Sequence, residues 1–310
     1  MSNQLHVKQG WIRALIFFFV GVLVSGLIAS PLQWLIYKGY IGNTDVSYKS
    51  LMNILLYVFN CIGILSCLWY FRCVIDGLSF FSLGFKWKGF GMDALVGVVV
   101  AVLIIGVGTI LLITGDNLVI YGVQFNILNI GVSILYFILV AFVEEVVIRG
   151  YVLSNLMESM NRWLALYVSA FLFTLMHLGN EDITLMAGLN IFIAGILLGV
   201  NYIYTKNLWF AIFFHFAWNF FQGSIIGYHV SGMVVDTGLL EITTKGPDEI
   251  TGGAFGFEGS AFAAILQIIA IIALAMVYEK KYGKRIIKAA MVAKPVPEPE
   301  VEAELPETEE

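Results

Sequence analysis

Six polar side chains lie within long apolar stretches of the chain: Glu144, Glu145, Arg149, His177, His215 and Asn219. An ionisable group at the centre of a membrane helix costs about 2.5–3.5 kcal/mol on insertion scales, so such groups persist mainly where they face a bundle interior or a water-filled cavity. Carboxylates and imidazoles are also the side chains that most often move protons in catalysis. The positions of these six residues therefore predict the part of the chain in which the chemistry of this protein takes place.

Hairpin arithmetic places two of these side chains at one depth. Glu144 precedes Glu158 by 14 residues, and His177 follows Trp163 by 14 residues, on the two arms of a hairpin that turns at residues 158–162. At a rise of about 1.5 Å per residue, both lie roughly 21 Å from the turn. His177 is therefore expected to face Glu144 across the hairpin.

The spacing within each stretch adds to this arrangement. His215 and Asn219 are four residues apart and so share a helix face, roughly 12 and 18 Å into their own stretch. Glu145 and Arg149 are also four apart and can pair, which lowers the cost of placing each in the membrane. Glu144 has no cation of its own in its stretch, which suits it to act as a general base.

The composition is that of a membrane protein, with 59% hydrophobic and 13% charged residues. Apolar runs of about 18 or more residues predict transmembrane helices. Eight stretches are predicted to cross the membrane: Ile12–Pro31, Leu51–Phe71, Met92–Thr114, Ile127–Met157, Trp163–Leu178, Ile183–Tyr204, Leu208–Ile226 and Ala261–Tyr278. We therefore expect an all-α polytopic membrane protein with about eight transmembrane helices and its catalytic core in helices four to seven.

The domain organisation follows from these stretches. Residues 1–125 are predicted to hold three transmembrane helices and an interfacial amphipathic segment, 76–90, in which aromatic side chains alternate with lysines. Residues 126–226 are predicted to form the catalytic core, and 227–279 an outer loop with the last transmembrane helix. Residues 280–310 are predicted to be a basic and then acidic cytoplasmic tail, disordered because Pro and like charges leave nothing to bury.

The distribution of basic residues predicts the orientation. With the N-terminus inside, 13 of the 17 Lys and Arg residues fall in cytoplasmic segments, three in outer loops, and Arg149 within the membrane. Because Lys and Arg near helix ends resist translocation, both termini are expected in the cytoplasm of a multi-pass cell-membrane protein. The basic cluster at 280–288 suits an anionic lipid surface rather than a nucleic acid.

Other signatures are missing or point to packing. The sequence has no Walker loop, no Gly-x-Gly-x-x-Gly after a strand and no His-Glu-x-x-His. The cysteines, Cys61, Cys67 and Cys73, do not share a helical face, which argues against a metal or disulfide role. Gly195 and Gly199 allow close helix approach, either within the bundle or in a weak homodimer, so a monomer or weak homodimer is expected.

Three spaced motifs occur in order on separate predicted helices: Glu144-Glu145-x-x-x-Arg149, Phe173-x-x-x-His177 and His215-x-x-x-Asn219. This series resembles that of bacterial CPBP intramembrane proteases, the family that includes type II CAAX prenyl endopeptidases and abortive-infection proteins. The resemblance covers roughly residues 127–221. It implies that Glu145 and Arg149 form a supporting ion pair that orients the first core helix.

The resemblance also implies roles for the remaining polar residues. Glu144 would be the general base, and His177 would work with it to activate a water that attacks the scissile carbonyl. His215 and Asn219 would donate to the oxyanion that forms. The expected activity is cleavage of a peptide or membrane-protein substrate, as in CAAX-type proteolysis.

Two chemistries and two other functions remain open. Metal-free activation of water by Glu144 and His177 is favoured, and the alternative is Zn²⁺ held by Glu144, His177 and His215. A non-proteolytic relative that acts as an immunity or export scaffold is the functional rival. A small transporter is less favoured because the chain shows no internal repeat.

Overall fold

The computed structural model describes residues 7–38, 46–234 and 238–292, without the side chains of 46–51, 53 and 285–292. The acidic part of the predicted tail lies outside these residues. The helices and strands follow in the order α1 (Gly10–Tyr37), α2 (Val46–Trp69), α3 (Gly91–Thr114), β1 (Leu118–Val123), α4 (Ile127–Glu145), α5 (Ser154–Ser159), α6 (Arg162–His177), α7 (Leu185–Val200), α8 (Tyr202–Thr205), α9 (Trp209–Asn219), β2 (Leu240–Thr244), α10 (Asp248–Thr251) and α11 (Ala261–Val292).

Six helical stretches among the described residues are long and apolar enough to cross a membrane: Gly10–Tyr37, Ile54–Ile75, Gly91–Thr114, Ile127–Ser159, Leu185–Thr205 and Ala261–Lys284. The protein therefore has the predicted all-α polytopic membrane fold. The other two predicted spans also fold into helices, α6 and α9. Because α6 has only 16 residues, it extends roughly 24 Å and falls short of the hydrocarbon core, about 30 Å thick. Eight crossings therefore stay a prediction.

Three helices continue into wider turns of π type, and two of these turns adjoin the polar motifs. Val146–Leu153 directly follows Glu145 and joins α4 to α5, while Phe220–Ile226 directly follows Asn219 at the end of α9. Such turns accommodate an extra residue and occur often at functional sites because they redirect the side chains around them. The third, Tyr70–Ile75, ends the second span.

Close helix packing depends on glycines. The bundle is built from α1 against α2, α3 against α9, and α7 against both α6 and α11. A Cβ atom on Gly195 would lie 2.8 Å from the Cβ of Ala170 in α6, and one on Gly97 would lie 2.5 Å from the carbonyl oxygen of Phe210 in α9. Gly195 therefore serves helix packing inside the bundle.

One end of the bundle, here called the hairpin end, is closed by ion pairs. Arg13 at the start of α1 pairs with Glu158 in the hairpin turn. Arg162, which begins the second arm of the hairpin, pairs with Glu279 of α11 at 2.8 Å. These contacts bring the start of α1, the hairpin turn and the later part of α11 to one side of the molecule.

The predicted interfacial segment begins in this same region. Asp76 is buried and lies 3.3 Å from both Arg13 and Arg72. Burial raises the pKa of Asp76, while the two arginines act in the opposite direction. Phe81 and Trp87 are exposed at 76% and 55%, so segment 76–90 has one anchored side and one free apolar side.

A two-stranded antiparallel sheet marks the opposite, or sheet, end of the bundle. β1 pairs with β2, with Leu118 opposite Thr244 and Val123 opposite Leu240, and a bulge interrupts the register after Ile120. The sequence analysis did not predict these strands, because each is only five or six residues long and lies between much stronger helical signals. The sheet joins the segment after α3 to the loop at residues 227–260.

Candidate active site

The structure places Glu144 against both histidines. Its Oε2 atom lies 3.7 Å from Nε2 of His177 and 4.0 Å from Nε2 of His215. Oε2 is buried and accepts no hydrogen bond within the described residues. The hairpin and the seventh predicted span thus bring a carboxylate and two imidazoles together, at distances that a small change of rotamer can shorten to a hydrogen bond.

Glu145 joins the second histidine to the buried arginine. Its Oε1 atom lies 2.8 Å from Nδ1 of His215 and accepts a hydrogen bond from Nη1 of Arg149 at 3.0 Å. Glu145 and Arg149 have no exposed surface. Adjacent carboxylates on one helix therefore have separate surroundings: Glu145 is paired with a cation, and Glu144 faces imidazole nitrogens.

Arg149 makes two further contacts in addition to its pairing with Glu145. Its Nη2 atom donates to the carbonyl of Gly195 at 3.1 Å, and the guanidinium lies 4.4 Å from the centre of the Phe173 ring. Cation–π contacts gain strength where both partners are desolvated. Through Glu145, Phe173 and Gly195, Arg149 thereby contacts α4, α6 and α7.

The imidazole orientations are set by their Nδ1 atoms. His177 Nδ1 lies 2.8 Å from the carbonyl oxygen of Phe173, one turn earlier in α6. A carbonyl only accepts, so Nδ1 carries the proton and Nε2 of neutral His177 presents a lone pair toward Glu144. In His215 the proton at Nδ1 points to Glu145, so Nε2 can donate only when the ring carries a second proton and is an imidazolium.

A small cavity of about 30 Å³ lies beside the histidines. Its walls combine aliphatic, aromatic and polar side chains: Phe173, His177, Ile191, Ala194, Leu198, Phe214, His215, Trp218, Asn219, Ser231 and Glu258. A cavity of this size with polar groups in its wall has room for about one or two water molecules. Asn219 and His215 both line the cavity, as their spacing of four residues predicts, while Glu144 is not among the lining residues.

Three residues that the sequence does not single out lie near Glu144. They are Tyr57 and Cys61 of α2 and Tyr136 of α4, all within range of the charge of Glu144. The rings of Tyr57 and Tyr136 meet edge to face, with centroids 5.4 Å apart. Tyr57 and Cys61 lie far from Glu144 in sequence, and Tyr136 lies within an apolar run. Only the packing of α2 near α4 identifies them as neighbours of Glu144.

Glu258 is a second unselected residue of the site. It lies in the loop 227–260, and its Oε1 atom accepts hydrogen bonds from Nε2 of Gln222 at 3.0 Å and from the hydroxyl and backbone N–H of Ser231. Burial raises the pKa of Glu258, against the effect of these donors. Glu258 lies in a loop outside every apolar stretch, so a search for charged residues within predicted helices does not find it.

The zinc alternative requires Glu144, His177 and His215 as ligands. The Nε2 atoms of the two histidines lie 3.7 and 4.0 Å from the same Glu144 oxygen, farther apart than the roughly 3.3 Å expected between ligand atoms that bind a tetrahedral zinc at about 2 Å. Within the part of the chain that the structure describes, no group of three His, Cys, Asp or Glu side chains has the arrangement needed to hold a metal ion. As arranged, these residues do not fit zinc.

Comparison with known proteins identifies the region that carries the site. Residues 126–221 match the family model described as type II CAAX prenyl endopeptidase Rce1-like. The matched range contains all six polar residues selected from the sequence. Neither a curated protein nor a solved structure matches the chain.

Proposed function

We propose that the chain, which carries an Rce1-like domain at residues 126–221, belongs with the type II CAAX prenyl endopeptidases among CPBP proteins and is an intramembrane endopeptidase. Its substrate would be a membrane-associated or lipid-modified peptide or protein. The observation that carries the proposal is the position of the Glu144 carboxylate, 3.7 and 4.0 Å from two imidazole nitrogens. A base next to a proton carrier, beside a cavity of water size, suits hydrolysis by activated water.

The first half of the proposed reaction forms the carbon–oxygen bond. A water held between Glu144 and His177 attacks the scissile carbonyl carbon and gives one proton to Glu144. Nε2 of His177 accepts a hydrogen bond from the same water and aligns it, because Nδ1 is held by the carbonyl of Phe173. The product of this half is a tetrahedral intermediate with a negatively charged oxygen.

The second half breaks the carbon–nitrogen bond. His215, as an imidazolium held by Glu145, and the amide of Asn219 donate hydrogen bonds to the oxyanion. The intermediate then collapses, and the proton taken from water passes to the leaving nitrogen through Glu144 and His177. Water is consumed, and one carboxyl and one amino terminus are produced, so no other reactant is needed.

The proposal is tested by incubating purified protein in detergent with a peptide library and identifying new termini by mass spectrometry. Hydrolysis at defined bonds is expected. A protein that binds peptides or supports immunity or export without producing new termini would instead be the scaffold of the rival interpretation. In that case Glu144→Gln would leave its biological function intact.

Location and orientation form a separate proposal. We place the protein in the cell membrane with both termini cytoplasmic, because 13 of its 17 Lys and Arg residues lie in segments on that side. The hairpin end then faces the cytoplasm, and the sheet end faces outward. Reporter fusions after Asn180 and near Thr243 are expected to be extracytoplasmic, and a cytoplasmic signal from either would reverse the orientation.

Chelation separates the metal-free mechanism from the zinc alternative. We expect activity to survive prolonged treatment with a strong chelator, because Glu144 and His177 suffice to activate water. The measurements are peptide hydrolysis before and after treatment and the metal content of the active protein. Stoichiometric zinc, with activity lost on chelation and restored by the metal, would refute the metal-free mechanism while leaving Glu144, His177 and His215 as candidate ligands.

A further inference from the structure

The loop at residues 227–260 places an additional carboxylate in the wall of the catalytic cavity. Glu258 lines this cavity together with His177 and Asn219. It is fixed there: Gln222, which is fully buried, and Ser231 both donate to its Oε1 atom. Asn190 of α7 donates to the backbone carbonyl of Glu258 at 2.8 Å. The carboxylate is thus held by several elements, as a binding group must be.

The hydrogen bonds to this side chain within the described residues all end on Oε1. The second oxygen, Oε2, therefore keeps its capacity to accept from a group in the cavity. A cavity wall that offers a fixed acceptor beside the reacting groups is suited to recognise part of the substrate.

Among the described residues, no Lys or Arg forms an ion pair with the carboxylate of Glu258. The residues that line the cavity include no Lys or Arg, and Arg149 is already engaged by Glu145 behind Phe173. His177 is a charged neighbour only when it carries a second proton. Because partly buried charges are normally paired, a lone carboxylate beside a substrate cavity indicates that the substrate supplies the cation.

We propose that Glu258 is a specificity-determining residue that binds the charged end group of a Lys or Arg side chain of the substrate next to the scissile bond, where that group replaces water in the cavity. This inference rests on the proposed peptidase activity and adds the class of peptide that is cleaved. Charge-assisted hydrogen bonds in a partly desolvated site contribute enough to favour such a peptide about 10- to 100-fold over an uncharged one of equal size.

The experiment uses a peptide that the purified full-length protein cleaves. Matched versions carry Lys, norleucine or Glu at the positions on either side of the scissile bond, and kcat/KM is measured for each. For the native protein the Lys version is expected to exceed the norleucine version about 10- to 100-fold at one of these positions. Absence of any preference for Lys or Arg in the native protein overturns the inference without using a variant.

Variants then assign the preference to Glu258. Glu258→Gln keeps an acceptor for Ser231 and Gln222, so the loop should stay in place, and the ratio of kcat/KM for the Lys peptide to that for the norleucine peptide is expected to fall to about 1. Glu258→Lys is expected to favour the Glu peptide. Glu249→Gln, an exposed carboxylate in the same loop, is the matched control and should retain the native preference.

The outcomes separate this inference from the proposed function. If Glu258→Gln slows all peptides equally and the Lys preference persists, Glu258 acts only on His177 or on the loop, and the inference is wrong. If the native protein cleaves peptides irrespective of their charge, the peptidase proposal is supported and the inference about Glu258 is wrong. If no peptide is cleaved, both proposals fail.

Discussion

Glu144→Gln is expected to lower kcat by about 10²–10⁴-fold, the usual contribution of a general base. The amide has the shape of the carboxylate but cannot take a proton from water. Substrate binding should change little, because Glu144 is not among the residues that line the cavity. Initial rates of peptide hydrolysis by the purified variant, with KM measured in parallel, give the comparison.

Glu181→Gln provides the matched control for this loss. Glu181 is an exposed carboxylate in the loop after α6, so its neutralisation should leave both kcat and KM close to the native values. Native activity in Glu144→Gln, with the fold intact, would remove Glu144 from the mechanism and with it the proposed activation of water.

Arg149→Met is expected to reduce the free energy of unfolding by about 3–5 kcal/mol, because it leaves the buried Glu145 carboxylate without its cation. The variant also loses the hydrogen bond to Gly195 and the contact with Phe173. Methionine retains an unbranched chain of similar reach, so the loss arises mainly from charge. Thermal unfolding in detergent and the yield of folded protein measure the effect.

Arg162→Met is the control for this second prediction. Its partner Glu279 is about half exposed, and ion pairs near the surface contribute only about 0–1 kcal/mol. A similar loss of stability in both variants would mean that the Glu145–Arg149 pair has no special structural role. A large loss of stability confined to Arg149→Met would indicate that the Glu145–Arg149 pair stabilises the structure around the site.

The sequence predicts the part of the site that depends on helix geometry. Depth along a helix follows from residue number, and the sharing of a face follows from a spacing of four, so Glu144 and His177 are expected to meet across the hairpin. The pairing of Glu145 with Arg149 follows from the same spacing. The spacing of four residues does not show that Glu145 also contacts His215, since that contact depends on how α9 packs against α4.

The remainder depends on packing between distant segments. Tyr57 reaches the surroundings of Glu144 only because α2 lies near α4, and Glu258 reaches the cavity only because the loop 227–260 folds back over it. The sheet of β1 and β2 fixes that loop, yet its strands are too short to give a strong periodic signal. Loops are positioned by tertiary contacts, for which helical periodicity carries no information.

The origin of the oxygen in the newly formed carboxyl group tests the central claim most directly. The purified protein is mixed with a cleaved peptide in water enriched in ¹⁸O, under single-turnover conditions, and the fragments are weighed by mass spectrometry. Hydrolysis by water activated at Glu144 predicts one ¹⁸O atom in the carboxyl group of the amino-terminal fragment, and no fragment from Glu144→Gln on the same timescale. Fragments without ¹⁸O, or equal cleavage by Glu144→Gln, would contradict the account.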